Sequence, residues 1–385
     1  MRFTTAGESH GPGLVAVLEG LPAGLELTPA DVDGDLARRQ LGHGRGGRMK
    51  IESDRAEVTG GLRHGRTLGS PVAMWIVNRD YENWTERMSP WPVEADVPEV
   101  HLPRPGHADL AGLQKFKHSD VRNVLERASA RETAARVACG ALAKAFLRVL
   151  GVDVRSRVLS IGSVAAPPRD DVDLDDFDGV DDSPVRCVDE GASSEMVAEI
   201  DRARKANESL GGVFEVRAFG LVPGLGSHVS WDERLDGRLA QAILSIHAMK
   251  GAEIGGGYAL AGIPGSAAHD EIFWSAERGY YRETNRAGGV EGGMTTGQQL
   301  IVTGAMKPLP TLTKPLRSVD TDTKQPAAAL KERTDSCTVP AAAVVGEAMV
   351  ALVLASAYRE KFGGDHIDDV VESVRRYEDR IGWVR

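Results

Sequence analysis

Strand-like and helix-like segments alternate irregularly along this chain, and that order constrains its fold more than any other feature. Residues 13–19 and 71–77 have the apolar character of buried strands, and residues 214–222 alternate as a half-buried strand does. Helical patterns cover residues 129–150 and 235–249. No GxGxxG motif leads into a helix, which argues against a simple dinucleotide-binding domain. The order therefore predicts an α+β protein with one large, layered domain.

The most apolar segment, residues 341–358, predicts a buried helix. It is too short and too polar for a membrane span, because it contains Gly346 and Glu347. The first residues lack the apolar stretch of a secretory signal. The three cysteines are far apart and form no CxxC motif, which disfavours both a disulfide framework and a cysteine zinc site. We therefore expect a cytoplasmic protein without a membrane partner.

The charge of the chain is acidic and unevenly distributed. Lys and Arg number 46 against 56 Asp and Glu, a net charge of −10, which argues against bulk binding to nucleic acid. Eight of the acidic residues are aspartates in residues 170–182, a stretch without a basic residue. Like charges at this density repel each other, so we expect an acidic insert on the solvated surface. Without these eight charges the net charge of −10 becomes −2.

Glycines are concentrated where the backbone turns tightly or approaches a ligand. The chain has 44, against about 27 expected from average usage near ~7%. Residues 251–304 contain 13 of them, and in residues 40–50 glycines separate Arg45 and Arg48, shortly after Arg39. Glycine N–H groups and forked guanidinium groups suit a phosphate or carboxylate ligand. An RNA-binding Arg/Gly stretch and a solvated loop remain alternatives.

Two histidines lie in turns that favour proton transfer. His10 stands in the segment GESHG just before a strand, and His107 stands in RPGHAD with Asp109 two residues away. A histidine pKa near neutrality suits a general acid or base. An exposed turn and a structural turn remain alternatives for each segment taken alone.

Three further segments have the composition of anion sites. Residues 127–133 place Arg131 and small residues at a predicted helix start, residues 285–297 contain paired glycines, and residues 333–337 place an arginine and an aspartate before the apolar helix. Helix capping and a glycine-rich hairpin remain alternatives.

Together the motifs predict one active site with several arginines, two histidines and one aspartate. Such a site favours general acid–base chemistry on a small substrate with more than one anionic group. The sequence contains no HExxH motif, and the GxSxG spacing in GESHG stands before a predicted strand and not before a helix, so metal-dependent hydrolysis and serine-triad chemistry fit it poorly.

The motifs resemble those of the chorismate synthase family. Across nearly the whole chain stand, in order, GESHG, RRQLGHGRGGRM, RPGHAD, RASARETAARVA, NRAGG with GGMTTGQ, and RTDSCTVPAA. The resemblance implies a 1,4-elimination that converts 5-enolpyruvylshikimate 3-phosphate to chorismate and phosphate in the shikimate route to aromatic amino acids. It implies a requirement for reduced FMN without net redox change. It also implies a single domain over residues 1–385, a layered β-α-β sandwich with helices between two antiparallel sheets, and a homotetramer.

The resemblance also implies roles for individual residues. His10 would donate a proton to the departing phosphate, His107 would control flavin protonation, and Asp335 would help to remove the substrate proton. The expected substrate ligands are Ser9, Arg39, Arg45, Arg48, Arg131 and Arg333, of which Arg39 and Arg45 are also the NADP positions of the family. The expected flavin ligands are Arg127, Ala128, Ser129, His247, Ala248, Gly292, Gly293, Lys307, Pro308, Leu309, Pro310, Thr311 and Arg333.

Two residues depart from the family pattern. His43 stands where the family loop usually has Tyr, and His247 stands where Asn or Gln is common beside the flavin. No separate reductase domain is recognisable, so we expect reduced flavin to be supplied from outside, with NADPH as an indirect reductant. A flavin- and NADPH-dependent reductase is the alternative enzyme, and an RNA-binding protein is the alternative of a different class.

Overall fold

Two antiparallel sheets and the helices packed against them form the frame of the protein. The computed structural model describes residues 1–46, 53–169, 171–332 and 334–383. Its strands, β1 to β17 in chain order, are Arg2–Ala6, Gly13–Glu19, Glu57–Gly60, Leu62–Arg63, Arg66–Thr67, Val72–Val77, Asp153–Ile161, Val164–Ala165, Gly212–Phe219, Met249–Ile254, Phe273–Ser275, Gly279–Tyr281, Val290–Glu291, Met294–Thr295, Leu300–Met306, Arg317–Val319 and Pro326–Ala328. Its helices, α1 to α9, are Pro29–Gln40, Asp109–Phe116, Arg122–Leu125, Thr133–Val149, Glu190–Lys205, Leu235–Leu244, Gly265–Ala268, Val339–Phe362 and Ile367–Ile381.

The first sheet has the strand order β1-β2-β6-β3, and its neighbouring strands are antiparallel. In β2 the side chains of Leu14, Ala16 and Leu18 are buried and alternate with more exposed residues. This period of two is the pattern of a strand that turns one face to a core. The strands predicted at 13–19 and 71–77 are confirmed as β2 and β6.

The second sheet has the order β10-β15-β9-β7-β8 and is also antiparallel. In its centre Val216 of β9 lies opposite Val302 of β15, and both are buried. The helix predicted over 235–249 is shorter than expected and ends at Leu244. The helix cannot extend to residue 249, because Ala248 has a positive φ of 65° and the next residue already pairs in β10.

The helices α4 and α8 link the two sheets. α4 packs against β1, β2 and β6, α8 packs against β7 and β9, and the two helices pack on each other. They approach closely at Gly140, where an added Cβ would lie 2.3 Å from the Cβ of Ala348. By length and composition α8 could cross a membrane, with a mean hydropathy of 1.9, but 89% of that stretch is buried inside the protein. It is the buried helix that the sequence predicts at 341–358.

One buried carboxylate on α8 ties several elements together. Glu347 accepts hydrogen bonds from Arg38 of α1 at 2.7 and 2.8 Å and from Lys144 of α4 at 2.9 Å. Ser156 of β7 and Arg186 donate to it at 2.7 and 3.1 Å. Burial by itself raises the pKa of Glu347, but the surrounding cations outweigh burial and hold this pKa well below its ordinary value. The carboxylate is therefore ionised and joins α1, α4 and β7 to α8.

The acidic segment that follows β8 is anchored by buried apolar side chains and by ion pairs of its aspartates. In residues 171–182, Phe177 is buried while most aspartates are exposed or half-buried. Asp181 is held by Arg38, with Nε of the arginine 2.8 Å from Oδ2. The first residue of the predicted insert, Asp170, lies outside the described residues. The segment therefore places most of its charge in solvent while Asp181 contributes to the cluster around Glu347.

Replacement of Glu347 by Gln should lower the free energy of unfolding by about 3–5 kcal/mol, because it leaves buried cations without their carboxylate. The folded-state pKa of Glu347 is lowered, so its stabilising effect is fully present above the ordinary value of 4.5 and is lost as pH falls through the folded value. Urea denaturation at pH 7 and at acid pH measures both effects.

The matched control is Glu360→Gln on the same helix. Glu360 is 53% exposed and pairs with Arg238 at 2.6 Å, so its loss should change the free energy of unfolding by less than about 1 kcal/mol. Equal destabilisation by both variants would contradict a special role of the buried carboxylate.

Candidate active site

A cavity of about 530 Å³ is lined by the first turns of α4 and α8 and by the loops that carry the predicted motifs. This volume is within the range of small-ligand sites. Segments that are far apart in the sequence therefore converge on one place. The predicted site residues that line the cavity are Ser9, His10, Arg39, Arg45, His107, Ala128, Ser129, Arg131, His247, Ala248, Lys307, Leu309, Pro310, Thr311 and Asp335.

Some predicted residues stand elsewhere. Arg127 is exposed and donates to backbone oxygens in and just after β1. Gly292 and Gly293 form the turn between β13 and β14, and neither they nor Pro308 line the cavity as the described residues form it. Two predicted substrate ligands lie outside the described residues, Arg48 and Arg333.

A pair of buried arginines shares one carboxylate at the cavity wall. Asp54 lies between Arg39, with Oδ2 3.2 Å from NH1, and Arg131, with Oδ1 2.5 Å from NH1. Arg39 also donates from Nε to Thr133 at 3.0 Å, and Arg131 donates from Nε to Asn78 at 2.9 Å. Burial lowers the pKa of Arg39 to about 10, although Asp54 opposes this effect. Arg39 is therefore charged at neutral pH, and the shared carboxylate fixes both guanidinium groups in orientation.

His10 is held by a buried carboxylate and an indole ring. Its Nδ1 lies 2.9 Å from Oε2 of Glu126, which also accepts the backbone N–H of His10 at 2.9 Å. The imidazole stacks on Trp84, with ring centroids 4.1 Å apart and an interplanar angle of 28°. Burial raises the pKa of Glu126, but the hydrogen bond and charge of His10, with the charge of Arg122, outweigh burial and lower it. An ionised Glu126 can only accept, so Nδ1 of His10 carries the proton.

His107 has a carboxylate partner of its own. Its Nδ1 lies 2.5 Å from Oδ1 of Asp109, which is fully buried at the start of α2. Arg104 donates from Nε to Oδ2 of Asp109 at 2.8 Å and from NH1 to Thr311 at 3.0 Å. Burial raises the pKa of Asp109, but the hydrogen bonds from His107 and Arg104 outweigh burial and lower it far below the ordinary value. His107 is therefore also oriented through a protonated Nδ1.

Asp335 is positioned by the glycine- and arginine-rich loop. Its Oδ1 accepts the backbone N–H of Gly46 at 2.6 Å, and its Oδ2 lies 3.3 Å from NH1 of Arg45. The next residue, Ser336, donates its N–H to the carbonyl of Gly44 at 2.8 Å. Gly44 has a φ of +88°, and an added Cβ would lie 2.8 Å from Ile200. The loop needs glycine at this position to reach Asp335.

The opposite rim combines a lysine, a histidine and apolar side chains. Lys307 donates from Nζ to the carbonyl of Gly106, next to His107. Burial lowers the pKa of His247 to about 4, although Glu132 opposes this effect, so His247 is neutral near pH 7. The apolar part of the wall is formed by Leu125, Ile246, Met306, Leu309, Ala341 and Val345.

Several residues that complete the site were not among the predicted ones. Asp54, Trp84 and Glu126 lie outside the quoted motifs or at their edges, and they act through partners distant in sequence. Arg104 and Asp109 stand inside RPGHAD, where the spacing of two between His107 and a carboxylate was the available signal. For Glu126 the available signal was a charged residue directly after the apolar residues 124–125.

The electrostatic character of the cavity defines a class of protein. Of the described residues that line it, five are Lys or Arg and three are Asp or Glu. Oriented guanidinium groups favour a ligand with several anionic groups, and two histidines with carboxylate partners favour proton transfer. The fold and the site thus define an α+β enzyme that performs acid–base chemistry on a small polyanion.

Comparison with known proteins identifies the family. The chorismate synthase family model matches residues 1–358. Chorismate synthase of Symbiobacterium thermophilum is 58% identical over 388 residues, with 99% of each chain covered, and that of Bacillus subtilis is 53% identical over 380 residues, with 97% of each covered. A crystal structure of chorismate synthase matches with a TM-score of 0.81 and 42% identity, over 99% of this chain and 98% of that one. The chain belongs to the chorismate synthase family, the carbon–oxygen lyases that form chorismate in the shikimate pathway with the help of reduced flavin.

Replacement of Arg131 by Lys should weaken the binding of 5-enolpyruvylshikimate 3-phosphate by about tenfold or more, because Lys keeps the charge but cannot hold Asp54 and Asn78 with one planar group. Titration calorimetry measures the dissociation constant. The control is Arg148→Lys, at a residue that is 49% exposed and pairs with Asp31 on the surface. Unchanged affinity in the Arg131→Lys protein would show that Arg131 is not a substrate ligand.

Proposed function

We propose that the cavity binds 5-enolpyruvylshikimate 3-phosphate together with reduced FMN and that its side chains carry the 1,4-elimination to chorismate. The observation that carries the proposal is the convergence of His10, His107 and Asp335 with oriented arginines in one cavity. In this reaction a ring proton is lost, and the C–O bond to phosphate breaks with its electron pair on the phosphate. Substrate and product are therefore at the same oxidation level.

The residues of the cavity fit a flavin as well as a substrate. The apolar wall around Ile246 and Leu309 suits a flat ring system, and Lys307 suits its phosphate. Nδ1 of His247 is buried and has no hydrogen-bond partner among the described residues, so that a ligand atom would satisfy it. Residues 307–311 and 128–129 would hold the flavin. When bound, reduced FMN would lend electron density to the breaking C–O bond.

The arginines account for the anionic groups of the substrate. Arg39 and Arg131 are buried, charged and held apart by Asp54. They need no reorganisation to meet a phosphate or a carboxylate, which is the condition for strong electrostatic stabilisation of a leaving group. Arg45 reaches the same cavity from the glycine-rich loop. Ser9 also lines the cavity and offers a further hydrogen-bonding group.

The two histidines and Asp335 divide the proton transfers. With Nδ1 engaged by Glu126, His10 has Nε2 available to donate a proton to the departing phosphate. With Nδ1 engaged by Asp109, His107 has Nε2 available for proton exchange near the flavin. The carboxylate of Asp335, held by Arg45 and Gly46, would accept the proton that the substrate loses.

Four wider features belong to the same proposal. The contacts of α4 with the first sheet and of α8 with the second support a layered β-α-β sandwich. We further propose a cytoplasmic homotetramer, the assembly that the resemblance to the family implies. NADPH would serve as an indirect reductant that keeps FMN reduced, with Arg39 and Arg45 as its expected contacts. Reduced flavin would come from another protein.

The decisive experiment follows phosphate release from 5-enolpyruvylshikimate 3-phosphate under anaerobic conditions, with and without chemically reduced FMN. We expect release that requires reduced FMN but consumes no reductant. Reductant consumption in proportion to product would instead identify a flavin- and NADPH-dependent reductase. Steady turnover in air with only NADPH and FMN added would contradict the external supply of reduced flavin.

Replacement of His10 or His107 by Ala should slow phosphate release at least ~100-fold, the lower range for acid–base groups, while folding and flavin binding stay largely intact. The control is His228→Ala, at an exposed residue outside the cavity. Single-turnover phosphate release measures the rates, and flavin absorbance measures binding. Wild-type rates in both cavity variants would refute the assigned roles.

A further inference from the structure

Two residues, Glu126 and Trp84, hold the imidazole of His10 on two sides. Glu126 is 1% exposed, and both of its carboxylate oxygens lie within 3.0 Å of Nδ1 of His10. Trp84 covers the face of the imidazole at 4.1 Å. A hydrogen bond alone leaves an imidazole free to rotate about the bond axis, whereas a stacked ring also fixes its plane. The two contacts together determine both direction and tilt.

Arg122 joins these two supports to each other. It donates from NH1 to Oε1 of Glu126 at 2.7 Å, and its guanidinium carbon lies 4.8 Å from the centre of the Trp84 ring. It also donates to Glu332, which lines the cavity, at 3.3 Å. The support of His10 is therefore part of a connected set of side chains, of which His10, Trp84 and Glu332 line the cavity where phosphate departure is proposed.

The charges around His10 give Glu126 a direct electrostatic effect. The charged groups near His10 and Trp84 are Glu8, which lies beside Gly11, and Asp80, Arg87, Arg122, Glu126 and Glu332. Of these, Glu126 is the group within hydrogen-bond distance of the imidazole in the described part of the chain. An opposite charge at this distance favours the protonated imidazole.

We propose that Glu126 and Trp84 are positioning residues for His10, with Glu126 fixing the proton on Nδ1 and favouring the imidazolium form, and Trp84 fixing the plane of the ring. The role of His10 as proton donor rests on the proposed function, but the positioning of its imidazole by Glu126 and Trp84 does not. A donor that is protonated and aimed before the substrate arrives loses little free energy to reorganisation when the C–O bond breaks.

The first experiment needs no substrate. A protonated imidazole stacked on an indole quenches its fluorescence more than a neutral one, so the emission that depends on Trp84 reports the protonation of His10. The emission of Trp84 is obtained by subtracting the spectrum of Trp84→Phe from that of the wild-type protein at each pH. In His10→Asn this emission should no longer change with pH in the range where His10 titrates. Glu126→Gln, which keeps the shape and loses the charge, should move the midpoint to lower pH by about one unit or more.

Two further variants keep this measurement decisive. Glu126→Asp retains the charge and should leave the midpoint nearer to that of wild type, which separates charge from damage to the fold. Asp201→Asn removes the carboxylate that pairs with His43 at 2.9 Å outside the cavity and should leave the midpoint unchanged. An unshifted midpoint in Glu126→Gln, or a titration that survives His10→Asn, would overturn the proposal.

The second experiment is kinetic. In Glu126→Gln the alkaline limb of the pH profile of kcat should move to lower pH by the same amount as the fluorescence midpoint, so that the rate recovers at acid pH. Damage to the fold would lower the rate at every pH instead. Trp84→Leu should lower kcat about tenfold or more with little change in KM, and Trp84→Phe should restore most of it, because a flat ring still fixes the plane. A wild-type kcat in Trp84→Leu would show that Trp84 does not position the imidazole of His10.

The two proposals can fail separately. If the wild-type protein releases no phosphate in the presence of reduced FMN, the proposed function fails, yet the fluorescence titration still decides whether Glu126 holds His10. If phosphate is released but the midpoint stays fixed in Glu126→Gln, the proposed function stands and the positioning role is wrong.

Discussion

The buried carboxylate of Glu347 is the interaction on which the rest of the structure depends. It is an ionised group in the middle of an apolar helix, and such a group is tolerated only when cations and hydrogen-bond donors surround it. Arg38, Lys144 and Arg186 supply those cations from three other parts of the chain. Because Arg38 must reach Glu347, the register of α1 is fixed, and its neighbour Arg39 is directed to the other side, toward Asp54 and the cavity.

The active site repeats this pairing of buried charges in smaller units. Asp54 separates Arg39 from Arg131, Glu126 orients His10, and Asp109 orients His107. In each unit a carboxylate that does not line the cavity fixes a basic group that does. Groups arranged in this way are aligned before any ligand enters, so that a ligand meets them with little reorganisation.

Sequence patterns predicted the elements with strong periodicity. The strands β2 and β6 and the buried helix α8 follow from the apolar character and the length of their segments. Patterns failed where the backbone changes direction, as between Leu244 and Ala248, whose positive φ is incompatible with the predicted helix. A local sequence pattern does not predict such a turn, because the turn leads into β10, which pairs with the distant strand β15.

The sequence by itself determines which chemical groups are available: several arginines, two histidines in turns, one aspartate before an apolar helix, and glycines that let loops approach them. Its motifs also determine the family. The tertiary structure alone decides which group holds which, as Glu126 and Trp84 do for His10. These pairings join residues far apart in the chain. They are selected by the burial of charge, whose cost depends on every element packed around it and therefore cannot be read from any local stretch.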